Sequence, residues 1–177
     1  MKKSINVVLF LFLFSALLNI AYGQTSIEIG ETGGRHGETV HVPVELSSDT
    51  DYVALLLRLE YDADRLIPEE VHHGALMTLF HSIDFFSPEE GRINIIVYGY
   101  NQYAAFIEQN GIIAAIEFLI KPLAPQGVAE IFITAAGAPD LPSSQLVDSL
   151  GNILNPEVIS GKVMVEPKTM AATWTLF

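Results

Sequence analysis

The sequence predicts an all-β domain, and three observations support this prediction. Apolar residues recur at every second position in one segment after another, which is the period of a half-buried strand. No segment longer than about ten residues shows a helical period. Turns rich in Gly, Pro, Asn and Asp separate the alternating segments at spacings typical of a sandwich or jelly roll. We therefore expect about nine strands in two layers.

The clearest strand lies between Asp51 and Ile67, and the other strands resemble it. Its apolar residues alternate from Val53 to Tyr61 and predict one face on a core. The opposite face carries Ala54, Leu56, Arg58 and Glu60, a mixture that favours a central position in a sheet. Asp62 and Asp64 then predict a turn, because Asp side chains bond to their own downstream backbone.

The remaining strands are predicted from the same alternation, in chain order, over residues 26–31, 39–46, 66–73, 80–86, 92–99, 112–121, 128–134, 145–154 and 158–165. Residues 33–37 contain three glycines and predict a turn. Pro43 lacks a backbone donor, so its strand is expected either to lie at an edge or to have the N–H side free at that position. In the strand predicted over residues 112–121, one face is expected to carry Ile112, Ala114, Ile116, Phe118 and Ile120.

The first 23 residues have the pattern of a secretory signal peptide. Lys2 and Lys3 precede an apolar run, and small residues follow near Gly23. An uncleaved membrane anchor is the alternative, although the apolar run is short for a span. We therefore expect a signal peptide over residues 1–23, a sandwich domain over 24–166, a loose tail over 167–177, and a secreted or cell-surface location.

Composition narrows the possible functions. The chain has 177 residues, no cysteine and a net charge of −12. Removal of the predicted leader, which carries two lysines and no acidic residue, leaves a net charge of −14. Such a surface repels nucleic acid and anionic membranes. Without cysteine there are no disulfides, so stability has to come from the core.

Catalytic patterns are scarce in this sequence. The close carboxylate pairs are Asp62 with Asp64, Glu69 with Glu70, and Glu89 with Glu90, and such pairs in turns are usually solvated rather than tuned for acid and base roles. Five histidines are present, but the adjacent His72 and His73 would point to opposite faces of a strand. We therefore predict neither an enzyme nor a metal site.

Several short motifs, taken in order, resemble the cohesin domain of cellulosomes. They cover residues 25–166 and are Gly37-Glu38-Thr39-Val40 with Val42-Pro43-Val44, Leu57-Arg58-Leu59-Glu60-Tyr61-Asp62 with Leu66, Gly91-Arg92-Ile93-Asn94, Gly111-Ile112 with Ile116-Glu117-Phe118 and Lys121-Pro122, and Ser160-Gly161-Lys162-Val163. The segment from Tyr100 to Gln109 matches nothing in the family.

This resemblance implies a nine-stranded jelly-roll β-sandwich without catalytic activity. It implies binding of a dockerin module, which carries the calcium of the pair, in the service of polysaccharide breakdown; no cofactor is implied for this chain. The family binds dockerin on the outer face of its third, fifth, sixth and eighth strands. Carried over, the protein-binding positions are Leu56, Arg58, Glu60, Asp84, Asn94, Ile96, Tyr98, Glu130 and Phe132.

Those positions have the composition of a protein interface. Leu56, Ile96, Tyr98 and Phe132 are predicted to form an apolar centre, and the polar residues a rim around it. The alternative is a register slip of one residue, which would exchange the two faces of each strand.

Two other hypotheses stay open at the sequence level. The first is carbohydrate binding, with Tyr98, Tyr100 and Tyr103 as a stacking platform, as in carbohydrate-binding modules of related fold. The second is an enzyme or a purely structural surface module.

Overall fold

A computed structural model describes residues 25–100, 110–134 and 143–167 of the chain. These residues form strands connected by turns and contain no helix. The strands are β1 (Ser26–Ile29), β2 (Glu31–Arg35), β3 (Thr39–Ser47), β4 (Tyr52–Tyr61), β5 (Leu66–His73), β6 (His81–Phe86), β7 (Arg92–Gly99), β8 (Gly111–Ile120), β9 (Gly127–Ile133), β10 (Gln145–Asp148), β11 (Ile153–Leu154), β12 (Glu157–Ile159) and β13 (Gly161–Glu166).

The strands form two sheets that pack face to face. One sheet has five strands in the order β12-β1-β3-β8-β5. The other has eight strands; β11-β10-β4-β9-β13-β2 is its main path, and β7 joins β4 to β6. β4 is central, because β7 pairs along one of its edges while β10 and β9 share the other. The strand that has the clearest alternation in sequence thus has neighbours on both sides.

The core lies between the two sheets and is almost entirely aliphatic. The eight-stranded sheet contributes residues such as Leu55, Leu57, Leu59, Ile93, Ile95, Val97 and Ile131, which are at most 1% exposed. The five-stranded sheet contributes Ile27, Val42, Val44, Ile116, Phe118 and Ile120. This alternation of buried and outward side chains confirms the predicted all-β sandwich.

The chain passes from the five-stranded sheet to the eight-stranded sheet at two neighbouring places, and a glycine lies at each of them. The chain passes from β1 to β2 at Gly30, and from β12 through Ser160 to β13, which begins at Gly161. A Cβ on Gly161 would lie 2.4 Å from the Gly30 carbonyl oxygen, and a Cβ on Gly30 would lie 2.5 Å from Cγ of Pro43. At Gly161 only glycine allows two backbones to approach this closely, and at Gly30 a Cβ would overlap the Pro43 ring, so both crossings depend on glycine.

Three details differ from the sequence prediction. Residues 33–35, expected in a turn, belong to β2, which pairs in parallel with β13; of the three glycines only Gly37 has a positive φ, of 79°. Ile112 is 37% exposed, whereas Ile113 is buried. The described residues contain thirteen strand segments rather than nine, partly because predicted strands divide at Gly30 and at Ser160.

The predicted signal peptide and nearly all of the predicted tail lie outside the described residues. Within the described part of the chain, there is no helix with the length and apolarity needed to cross a bilayer.

Candidate binding face

The outer face of the eight-stranded sheet brings the predicted protein-binding positions together. β6, β7, β4 and β9 are consecutive neighbours in this sheet, paired β6 to β7, β7 to β4 and β4 to β9. All nine predicted residues lie on their outward sides, since their neighbours along each strand face the core or pack against it. Their common outward orientation follows from strand alternation and this pairing.

The centre of the face is a cross-strand apolar pair. Leu56 of β4 is directly opposite Ile96 of β7, and Tyr98 follows two residues later, opposite Ala54. Phe132 lies further along, opposite Glu60, and is 49% exposed. The apolar surface therefore has two parts, separated by the pair of Arg58 and Asn94.

The polar residues between these two apolar parts are held in place by the backbone. Arg58 is opposite Asn94, and its Nη1 donates a hydrogen bond to the Ser143 carbonyl oxygen. The Arg58 backbone N–H donates to Ser144 Oγ at 2.9 Å. A guanidinium fixed in this way loses little further freedom on binding, so it can register a partner at low entropic cost.

Ion pairs lie at the far end of the face. Arg92 Nε is 3.3 Å from Glu60 Oε1, and the Arg92 guanidinium also donates to Glu89. A shallow hollow beside Arg58 is lined by Pro88, Glu89, Arg92, Asn94 and Thr134, among others. The rim thus offers charges of both signs within a few ångströms.

Glu130, on β9, belongs to a second charged group. It lies opposite Lys162 of β13, whose Nζ is 2.8 Å from Glu31 Oε1. The hydrogen bond to Glu31 raises the pKa of Lys162, and the charges of Glu31 and Glu130 act in the same direction. Lys162 therefore neutralises part of an otherwise acidic edge.

The tyrosines proposed as a sugar platform do not form a flat surface. The rings of Tyr98 and Tyr100 lie 6.0 Å apart at 80°, an edge-to-face arrangement. The Tyr98 hydroxyl donates to Asp84 Oδ2 at 3.1 Å. Two perpendicular rings cannot stack together on one sugar ring, which disfavours the carbohydrate hypothesis. Its third residue, Tyr103, lies outside the described residues.

The close carboxylate pairs have structural contacts. Asp62 Oδ1 accepts the backbone N–H of Asp64 at 3.0 Å and its other oxygen pairs with Arg65, as expected for the predicted turn. Glu89 pairs with Arg92, and Glu90 with Lys121 at 3.5 Å. These contacts assign turn and surface roles to these carboxylates.

The sequence analysis did not predict two features of the chain. Phe86 of β6 lies opposite Asn94 and is 50% exposed, so it extends the apolar part of the face. Because Phe86 follows Asp84 by two residues, strand alternation places both on the same side, and this spacing is the sequence signal that could have identified it. On the other sheet, His72 lies beside Glu117 rather than beside His73. The hydrogen bond to Glu117, at 2.8 Å, raises the pKa of His72.

Comparison with known proteins supplies the family. Residues 25–153 match the family model described as the cohesin domain. Cellulose-binding protein A of Clostridium cellulovorans is 26% identical over 149 residues; the match covers 84% of this chain and 8% of that protein's length.

Solved structures show the same fold. The sixth cohesin of scaffoldin B from Acetivibrio cellulolyticus, solved in complex with a Cel5 dockerin mutant, has a TM-score of 0.69 at 23% identity, covering 81% of this chain and 99% of that one. A non-cellulosomal cohesin from the archaeon Archaeoglobus fulgidus has a TM-score of 0.65 at 19% identity, covering 81% and 92%. Since the family model spans well over half of the chain, the chain belongs to the cohesin domain family.

Proposed function

We propose that this chain is an exported, non-catalytic receptor that binds a dockerin-type protein module through the outer face of its eight-stranded sheet. The observation that carries the proposal is an outward apolar surface, made of the partly exposed pair Leu56 and Ile96 and the half-exposed Phe86 and Phe132, on a sheet whose other face already covers the core. Apolar surface of this kind, bordered by charged residues, is typical of a protein-binding site.

The binding mechanism is burial of a preformed surface. β4 and β7 have neighbours on both edges, so their outward side chains stand on a rigid backbone. Leu56 and Ile96 supply the desolvated centre, while Arg58, Glu60 and Asn94 fix the orientation of the partner. The binding face of this chain therefore loses little conformational entropy when a partner binds, which favours affinity.

The nature of the partner is inferred from the relatives. The Acetivibrio cohesin was solved with a dockerin, and the OlpA cohesin of Clostridium thermocellum, with a TM-score of 0.67 at 20% identity, was solved in complex with dockerin 918. In this proposal the dockerin brings its own calcium, so the binding face needs no metal. The archaeal relative is described as non-cellulosomal, so the bound module need not belong to a cellulosome.

The proposed setting is outside the cell. The apolar leader with its two lysines supports export, and the acidic composition supports solubility there. The Clostridium relative is named as a cellulose-binding protein, which supports a role in assembling enzymes of polysaccharide breakdown.

The proposal is tested by measuring the binding of calcium-loaded dockerin modules, taken from the genome that encodes this chain, to immobilised chain. Leu56→Asp should abolish binding, because it places a charge at the desolvated centre opposite Ile96. The matched control is Ile67→Asp, on the outer face of the other sheet, where Ile67 is 39% exposed.

A third variant, Tyr103→Ala, separates the competing functions. If no dockerin binds, and retention on insoluble cellulose is lost only with Tyr103→Ala, the protein-binding proposal is wrong and carbohydrate binding replaces it. Equal loss of dockerin binding in Leu56→Asp and Ile67→Asp would likewise contradict the assignment of the face.

A further inference from the structure

We propose that His41, His72 and Glu117, on the outer face of the five-stranded sheet, bind a zinc ion. This site is on the opposite side of the sandwich from the proposed dockerin face, and it is independent of that function. Among the described residues, these three form the only group of His, Cys, Asp or Glu side chains whose arrangement could hold a metal ion.

Strand pairing brings the three side chains together. His41 of β3 is directly opposite Glu117 of β8. On the other edge of β8, β5 contains a bulge between Pro68 and Glu70, after which Glu70 is opposite Glu117 and His72 opposite Ala115. Without this extra residue His72 would point into the core, so the bulge is what directs its imidazole toward Glu117.

The distances suit one small cation. Glu117 Oε2 is 2.8 Å from His72 Nε2 and 3.8 Å from His41 Nδ1, and the three ligand atoms all lie within 4.8 Å of one another. A tetrahedral zinc ion with ligands at about 2.1 Å holds its ligand atoms roughly 3.4 Å apart. Small side-chain rotations would therefore complete three of four positions, leaving the fourth for water.

The ligand set selects the class of metal. Two imidazoles and one carboxylate suit zinc and its transition-metal neighbours, whereas calcium and magnesium prefer oxygen ligands. Glu70 Oε1 is 3.9 Å from His72 Nδ1, the ring nitrogen left free by a metal on Nε2. A carboxylate in that place orients a metal-bound histidine and increases its basicity.

The site is open to solvent yet anchored. The His41 side chain is 58% exposed, that of His72 39% and that of Glu117 22%, so an ion can enter without opening the core. The ligands come from β3, β8 and β5, and β5 is the last strand of its sheet. A bound ion would therefore attach the edge strand β5 to its neighbour β8 and to the next strand, β3.

The test is calorimetric titration of the purified chain, without a histidine tag, using zinc chloride. We expect saturable binding of one ion per chain. His41→Ala, His72→Ala and Glu117→Gln should each weaken binding at least about tenfold. His73→Ala is the matched control, because His73 is exposed on the same strand and outside the cluster; its affinity should be unchanged.

A second measurement does not depend on the variants folding. In nuclear magnetic resonance spectra of the unaltered chain, zinc should shift the imidazole signals of His41 and His72 before those of His36 and His73. Absence of a saturable site, unchanged affinity in His41→Ala and His72→Ala that fold normally, or shifts spread equally over all histidines would overturn the proposal.

Discussion

Phe132 offers a quantitative test of the proposed dockerin face. Phe132 is 49% exposed on β9, two strands away from β7, and lies opposite Glu60. A phenylalanine side chain can bury about 200 Å², so about 100 Å² of the ring is available to a partner. We therefore expect Phe132→Ala to weaken dockerin binding measurably.

The size of the effect follows from the area. At roughly 25 cal/mol per Å², about 100 Å² corresponds to about 2.5 kcal/mol if the partner covers the ring completely. The methyl group of alanine would retain roughly a fifth of that contact, which leaves about 2 kcal/mol, or about a 30-fold increase in Kd.

The assay is calorimetric titration of the parent chain and of Phe132→Ala with the same calcium-loaded dockerin. Ile67→Ala is the control, because Ile67 has 39% exposure on the other sheet and should change the Kd by less than about twofold. Equal thermal midpoints for the parent and Phe132→Ala would exclude unfolding as the cause. A parent-like Kd for Phe132→Ala would show that the ring is not covered and would refute the assignment of β9 to the interface.

Three further predictions concern stability. Gly161→Ala should destabilise the fold by at least about 2 kcal/mol in denaturant unfolding, because the new Cβ would lie 2.4 Å from the Gly30 carbonyl oxygen; a loss below about 0.5 kcal/mol would show that the crossing can relax. Leu57→Ala should cost about 2–5 kcal/mol in the same assay, since Leu57 is 1% exposed, and should leave dockerin affinity unchanged at temperatures where the variant is folded. Asp148→Asn should lower the thermal midpoint near neutral pH. Hydrogen bonds from the side chain and backbone of Asn152 and from the Leu150 N–H lower the pKa of Asp148, so its contribution is present above the ordinary carboxyl range and is lost as the pH falls through the lowered pKa. The parent and Asp148→Asn should therefore converge below about pH 4, and a constant difference down to pH 2 would contradict this cause.

The sequence alone predicts which side of each long strand is buried. Leu55, Leu57 and Leu59 alternate with Leu56, Arg58 and Glu60, and because the side-chain period is two, one buried residue assigns its whole strand. The outward positions of β7 and β9 could be predicted in the same way. Which strands are neighbours could not, and that knowledge came from the family resemblance.

Bulges explain where alternation failed. Ile112 was predicted on the face of Ala114, but a register shift beside Val44 and Glu45 turns Ile113 inward instead. On β5, the bulge after Pro68 likewise redirects every later side chain. An extra residue exchanges the buried and outward positions that follow it in the strand. No particular residue type is needed for this, so the alternation of apolar residues does not reveal a bulge.

The same parity argument explains why the two outer faces differ in character. On β4 and β7 the ladder is regular from Ala54 to Glu60, and this regularity keeps Leu56 and Ile96 in register as a flat apolar surface. On the five-stranded sheet, the bulge in β5 interrupts its ladder with β8 and brings His72 to the side of the sheet on which His41 and Glu117 are already paired in regular register. A flat surface suits burial against another protein, whereas a local convergence of imidazoles and a carboxylate suits a single ion. The regular ladder thus favours the proposed protein interface on one side of the sandwich, and the interrupted ladder favours the proposed zinc site on the other.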